Sequence, residues 1–90
     1  MRMRKKKHGG ERLSALAALL CTDSAILREN PRSVFAADAP LRLEIGCGKG
    51  GFICELAARH PEINFLAVEV YANVLVSACE AAQERGLTNL

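Results

Sequence analysis

The apolar positions change their period along the chain, and each change marks an element. Leu13, Leu16 and Leu20 recur at three- and four-residue intervals, which predicts a short amphipathic helix over 11–21. Residues 22–30 keep no clear period and read as a turn with a partial helix. Asn30-Pro31 is a helix start, with Asn as the cap and Pro in the first turn, and predicts one turn over 31–36 carrying Val34 and Phe35. Asp38-Ala39-Pro40 then breaks the chain. From Leu41 the pattern sharpens. Leu41-Arg42-Leu43-Glu44-Ile45 alternates with period two and predicts a strand. Gly46 to Gly51 is a glycine-rich turn. Residues 52–60 form a predicted helix with Phe52, Ile53, Leu56 and Ala57 inward and Glu55 and Arg59 outward, ended by Pro61. Asn64-Phe65-Leu66-Ala67-Val68 is apolar almost throughout, as in a strand covered on both faces. Residues 72–85 predict a second long helix with Val74, Leu75, Ala78, Cys79 and Ala82 as its buried stripe and Gly86 as its stop. Thr88-Asn89-Leu90 reads as the lead-in to a third strand.

The order from Leu41 is strand, loop, helix, strand, helix. Parallel strands joined by helices belong to a wound α/β sheet. The expected organisation is a basic arm over 1–10 ending in Gly9-Gly10, a helical extension over 11–40, and the start of an α/β domain over 41–90. Ninety residues fall below the ~100–200 of an average domain, so a complete doubly wound enzyme is excluded unless this is a piece of one. Hydrophobic residues make up 50% and charged residues 24%, which excludes intrinsic disorder. Aromatics are 4% with no Trp, so the core must be aliphatic and alanine-rich, which suits helices on a sheet.

Charge is distributed unevenly. Residues 1–12 hold six Lys/Arg against one acid, and residues 13–90 hold six against nine, so an arm of net +5 precedes a body of net −3. A basic arm attracts phosphate, from nucleic acid or from an anionic membrane, and a solvated tail is the plainer alternative. Cys21, Cys47, Cys54 and Cys79 show neither CxxC nor zinc-ligand spacing, and read as reduced, mostly buried thiols of a cytoplasmic protein with no metal site. The run from Leu13 to Cys21 after a basic start imitates a signal peptide, but Leu19 and Leu20 stand where small residues would precede a lipoprotein cysteine. Nothing approaches the ~18 apolar residues of a membrane span.

The densest chemistry is Glu44-Ile45-Gly46-Cys47-Gly48-Lys49-Gly50-Gly51. Glycines between a strand and a helix permit positive φ and close approach of a ligand to the backbone, and the helix start offers unpaired N–H groups. Glu69 closes the second strand 23 residues after Gly46, where a carboxylate can accept both ribose hydroxyls of an adenosine. Gly46, Gly48 and Gly51 satisfy the GxGxxG of dinucleotide binding. Gly46, Gly48 and Gly50, with an acid two residues before the first, resemble motif I of S-adenosylmethionine-dependent methyltransferases. Charge favours the second reading. A pyrophosphate would be opposed by Glu44, whereas a sulfonium or ammonium at ~5 Å would gain about 3 kcal/mol before desolvation at an effective dielectric near 20. Lys49 argues weakly the other way. The structural alternatives are an ordinary tight turn, a solvent-facing Glu44, and a Glu69 that merely favours the dipole of the following helix. No GxxxxGK[ST] is present. Cys47 has no histidine nearby in sequence to activate it, His60 reads as a helix C-terminal cap, and Cys54 and Cys79 read as packing residues.

With these residues in hand, the chain resembles the N-terminal part of the bacterial tRNA guanine-N7 methyltransferase family. The similar stretches are Met1-Arg2-Met3-Arg4-Lys5-Lys6-Lys7, Leu43-Glu44-Ile45-Gly46-Cys47-Gly48-Lys49-Gly50, Phe65-Leu66-Ala67-Val68-Glu69-Val70 and Glu84-Arg85-Gly86-Leu87-Thr88-Asn89-Leu90. The resemblance implies a Rossmann-like class I methyltransferase fold, truncated to its first β-α-β-α unit behind a helical extension. It implies S-adenosylmethionine as cofactor, with Glu44, Gly46, Cys47, Gly48, Glu69 and Val70 around it. It implies tRNA as partner, with Arg2, Arg4, Lys5, Lys6 and Lys7 on its phosphates, and a cytoplasmic enzyme without metal. The family's acid after strand three and its Asp-Pro motif after strand four fall beyond Leu90. No catalytic residue is therefore expected within the chain, which is expected to be a truncated piece, inactive alone. Another methyltransferase, an NAD-binding module and a non-catalytic RNA-binding piece are the competing readings.

Overall fold

The computed structural model describes residues 19–90. The basic arm and nearly all of the helix predicted over 11–21 lie outside them. Leu19 sits in a turn and Leu20 and Cys21 are irregular, so no helix extends over the last three residues of that prediction.

Helix α1 spans Ser24–Glu29 in the stretch where the apolar pattern gives no period. Its cause is local. Asp23 adopts an extended N-cap conformation, and its Oδ1 accepts the N–H groups of Ala25 at 3.0 Å and Ile26 at 3.2 Å. Pro31–Val34 follows as a 3₁₀ turn rather than an α-helical one. Asn30 precedes it as expected, but its side chain makes no capping bond. Its carbonyl instead accepts from Ser33 N–H at 3.1 Å and Ser33 Oγ at 2.7 Å.

Strand β1 is Leu41–Ile45, helix α2 is Gly51–Arg59, strand β2 is Asn64–Val68 and helix α3 is Ala72–Glu84. The described part is thus a mixed α/β unit with two parallel strands. β1 and β2 pair in the register Leu41↔Asn64 through Ile45↔Val68. Paired residues share a face of the sheet. Phe65, on the face shared with Arg42, is 1% exposed and joins Ile53, Cys54, Ala57, Ala78, Ala82 and Cys47 in one core cluster. Burying that ring contributes about 2–3 kcal/mol. The opposite face carries Leu43 and Ile45, both exposed. The covering of β2 is uneven along its length: Asn64 and Phe65 are buried, Leu66 and Ala67 half-buried, and Val68 exposed.

Two helix faces differ from expectation. Phe52 is 68% exposed although Ile53 and Cys54 of the same turn are buried, because the buried stripe of α2 runs through Ile53, Cys54 and Ala57 and Phe52 lies off its flank. On α3, Val76 is fully buried beside the predicted Val74, Ala78, Cys79 and Ala82, while Leu75 is half-buried. The helix stops as predicted. Gly86 has φ +64°, its N–H donates to Gln83 O at 3.0 Å, and Leu87 N–H donates to Ala82 O at 3.1 Å. These paired bonds form a Schellman motif. Beyond it the chain runs alongside β2, where Phe65 N–H donates to Asn89 O at 2.7 Å.

Candidate functional site

The loop between β1 and α2 takes its shape from three glycines. Gly46, Gly48 and Gly50 have φ of +76°, +59° and +84°, a region that side chains with a Cβ rarely adopt. The end of β2 holds its first part. Val68 O accepts the N–H groups of both Gly46, at 2.7 Å, and Cys47, at 3.1 Å. Gly50 N–H donates to Cys47 O at 3.1 Å, and Gly50 then caps α2 by accepting from Cys54 N–H at 2.9 Å.

The glycines divide by what surrounds them. A Cβ on Gly50 would lie 3.0 Å from both Cα and Cβ of Ala78, so this glycine lets the loop press against α3. A Cβ on Gly46 or Gly48 would meet nothing within 4 Å. Those two positions border open space at the carboxyl ends of the strands.

Both predicted carboxylates are at that end. Glu44 is the penultimate residue of β1, half-buried, on the face of the sheet shared with Ala67. Glu69 directly follows β2. Its Oε1 accepts Gly48 N–H at 2.9 Å and its Oε2 accepts Tyr71 N–H at 3.0 Å. These backbone donors, Tyr71 first and Gly48 second, hold its carboxyl below the usual carboxylate range against a small opposing effect of burial. Val70 beside it is 86% exposed. Cys47 lies between the two acids, and its thiol is pushed up by burial first, then by Glu69 and Glu44. It is therefore protonated near neutrality and a poor nucleophile. Lys49 is exposed. Glu44, Gly46, Cys47, Gly48 and Glu69 are thus brought together, with Val70 at the rim, whereas Arg2, Arg4, Lys5, Lys6 and Lys7 lie outside the described residues.

Other roles are less chemical. Cys54 and Cys79 are buried in the packing, and all four cysteines are free. His60 is the C-cap of α2, and its Nδ1 lies 3.2 Å from Glu62 Oε1. A groove of about 780 Å³ runs between residues 19–36 and the β2–α3 side, and Cys47 and Glu69 are the members of the candidate set that line it. Among the described residues, no group of three or more His, Cys, Asp or Glu could hold a metal ion. No described helix is long and apolar enough to cross a membrane. Sequence reasoning missed the hydrogen bonds from Gly48 and Tyr71 to Glu69. No local signal carries the first, because the carboxylate and the Gly48 amide are 21 residues apart and meet only through strand pairing, whereas the second joins near neighbours at the entrance of α3.

An arrangement of positive-φ glycines with room beside them, flanked by two carboxylates, can receive the cationic part and the hydroxyls of an adenosyl ligand. Comparison with known proteins bears on this. Residues 38–90 match the family model described as "Putative methyltransferase". Over all 90 residues the chain is 41% identical to a tRNA (guanine-N(7)-)-methyltransferase of Geobacillus kaustophilus and 41% identical to one of Halalkalibacterium halodurans. It is 39% identical to one of Lactococcus lactis subsp. cremoris, also over its whole length. The chain spans about two-fifths of these relatives, 42%, 41% and 42% of their respective lengths. With strand, glycine loop, helix and second strand all inside the matched region, the chain belongs to this methyltransferase family.

Proposed function

We propose that this chain is the N-terminal part of a tRNA guanine-N7 methyltransferase that takes its methyl group from S-adenosylmethionine. The observation that carries the cofactor reading is the bend at Gly46–Gly48, open beside its glycines and bordered by Glu44 and Glu69. The residues fit the ligand. Glu44 at the end of β1 suits a sulfonium and an ammonium and opposes the pyrophosphate of a dinucleotide, whereas Glu69 suits the ribose of either ligand. The guanine-N7 and tRNA readings rest on the activity for which the relatives are named.

In this reading Gly46, Cys47 and Gly48 lie against the methionine portion, with Glu44 nearby as counter-charge. Glu69 accepts the ribose hydroxyls, and Val70 offers an apolar surface beside them. The bound cofactor supplies an electrophilic methyl. Guanine N7 has a lone pair and no proton, so the chain's residues need only bind, orient and stabilise charge, without a general base. The arm over 1–10, with Arg2, Arg4, Lys5, Lys6 and Lys7, binds tRNA phosphate. The extension over 11–40 precedes a Rossmann-like domain that begins at 41, and the setting is the cytoplasm.

The test is calorimetric titration of S-adenosylmethionine and of NAD into the protein expressed from its intact reading frame, followed by radiolabelled methyl transfer to tRNA. Binding of S-adenosylmethionine alone, with label recovered as 7-methylguanine, is expected. Binding of NAD alone would sink the proposal. Methylation confined to a protein or small molecule would leave the cofactor site standing and remove tRNA.

A further inference from the structure

We propose that Glu69 is a positioning residue that fixes the glycine loop before any ligand arrives, by tying Gly48 to the start of α3. Gly46, Cys47 and Gly50 hold their places through backbone carbonyls, those of Val68 and Cys47. Gly48 does not: its N–H donates to the Glu69 side chain. Nothing braces Gly48 on its Cβ side, where a Cβ would meet nothing within 4 Å, whereas Gly50 is wedged against Ala78. Besides the carboxylate, Gly48 has only a 3.7 Å hydrogen bond from the Cys47 thiol to its carbonyl, among the described residues. The carboxylate is therefore what defines the middle of the bend. Its second oxygen on Tyr71 N–H makes the brace span two elements, with the loop on one side and the entrance of α3 on the other.

A carboxylate has about four acceptor directions, and the backbone N–H groups of Gly48, Tyr71 and, more weakly, Val70 leave room for a ligand hydroxyl to share the group. A loop already set in place spares the ligand the ordering cost of binding. This role rests on the proposed cofactor site only for that consequence; the brace exists without ligand and can be tested without it. The titratable and charged side chains on the surrounding elements are Arg42 and Glu44 on β1, Cys47 and Lys49 in the loop, Tyr71 at the start of α3, Cys79, Glu80 and Glu84 within it, and Asp23 across the groove. Because the two N–H groups favour the ionised carboxyl, the brace is at full strength above the ordinary Glu value and is lost as pH falls through the lower folded value.

The experiment is NMR of the ligand-free protein from its intact reading frame. The Gly48 and Tyr71 amide protons are expected to follow a single shared titration with a midpoint below the ordinary Glu range. In E69Q one contact must become donor against donor, because the amide offers a single oxygen. Exchange at whichever of Gly48 and Tyr71 faces the amide nitrogen is expected to quicken at least tenfold while the Phe65 and Val76 amides stay protected. Independent titrations at Gly48 and Tyr71, or unchanged exchange at both in E69Q, would overturn the proposal. If E69Q does not fold, the wild-type titration decides alone. Shared titration without S-adenosylmethionine binding would retain the brace and remove the cofactor reading; binding without shared titration would do the reverse.

Discussion

At the scale of single residues, the glycines of the loop are not equivalent. Gly48 and Gly50 both need positive φ, but only Gly50 also lacks room, with Ala78 3.0 Å from a would-be Cβ. Gly48→Ala therefore incurs backbone strain of about 1 kcal/mol. Gly50→Ala adds displacement of α3 backbone and is expected to cost about 3 kcal/mol or more. Urea denaturation of the two variants checks the order, and equal losses would show that φ alone governs both sites. The glycine spacing made the bend legible in the sequence. Which glycine touches a helix was not legible, because Ala78 reaches Gly50 only after α3 has packed. Phe52 failed for a related reason. Helical periodicity put it with Ile53 and Ala57, but Phe52 lies about 100° around the helix from Ile53, and only packing decides which flank of a stripe is covered.

At the scale of elements, the strands and helices from Leu41 onward follow their apolar periods to within a residue or two, because Gly50, Pro61 and Gly86 punctuate them strongly. Helix α1 was legible only as a partial helix somewhere in 22–30, because its six residues bury no side chain and leave no hydrophobic stripe, so only the Asp23 cap fixes its start. The most consequential joint between elements was also hidden. Asn89 is buried, and its Nδ2 lies 3.0 Å from Ala57 O, 3.0 Å from His60 O and 2.9 Å from Ile63 O. One amide thus closes the end of α2 and the turn into β2, while the Asn89 backbone carbonyl takes Phe65 N–H. Two amide protons shared among three carbonyls are lost in Asn89→Ala, for an expected cost of about 1–3 kcal/mol. Asn89→Asp sets a carboxylate among the same carbonyl oxygens and is expected to cost more than alanine. Thermal denaturation compares them, and an aspartate variant as stable as wild type would show that the amide protons are unimportant. This gives a physical reason for the Gly86-Leu87-Thr88-Asn89-Leu90 stretch: Gly86 ends α3, and Asn89 then ties the returning chain to α2 and β2.

At the scale of the molecule, the controlling feature is the separation of charge along the chain. Residues 13–90 carry net −3 and residues 1–12 net +5. At 0.15 M salt the Debye length is ~8 Å, so on the proposed function an acidic body repels nearby phosphate and the arm is its main electrostatic hold on RNA. On that reading the carboxylates that suit a cationic cofactor work against a polyanionic substrate, and a basic segment placed before Gly9-Gly10 offsets the conflict. Each phosphate neutralised steepens the dependence of log K on log salt by about 0.7–0.9. Deleting residues 1–10 removes five Lys/Arg, so the slope for tRNA is expected to flatten by up to about 4 if all five are engaged. Affinity at low salt should fall by several orders of magnitude, with the two curves converging as salt rises. Affinity for S-adenosylmethionine is expected to stay unchanged, because Glu44, the glycine bend and Glu69 are all carried by 44–69. Filter binding of tRNA across a salt series, alongside cofactor titration of the same deletion, separates the two charge systems. An unaltered slope would move the phosphate contacts from the arm onto Arg28, Arg32, Arg42, Arg59 or Arg85 of the body, the remaining arginines among the described residues. A simultaneous loss of cofactor affinity would mean that the arm reaches the glycine bend itself.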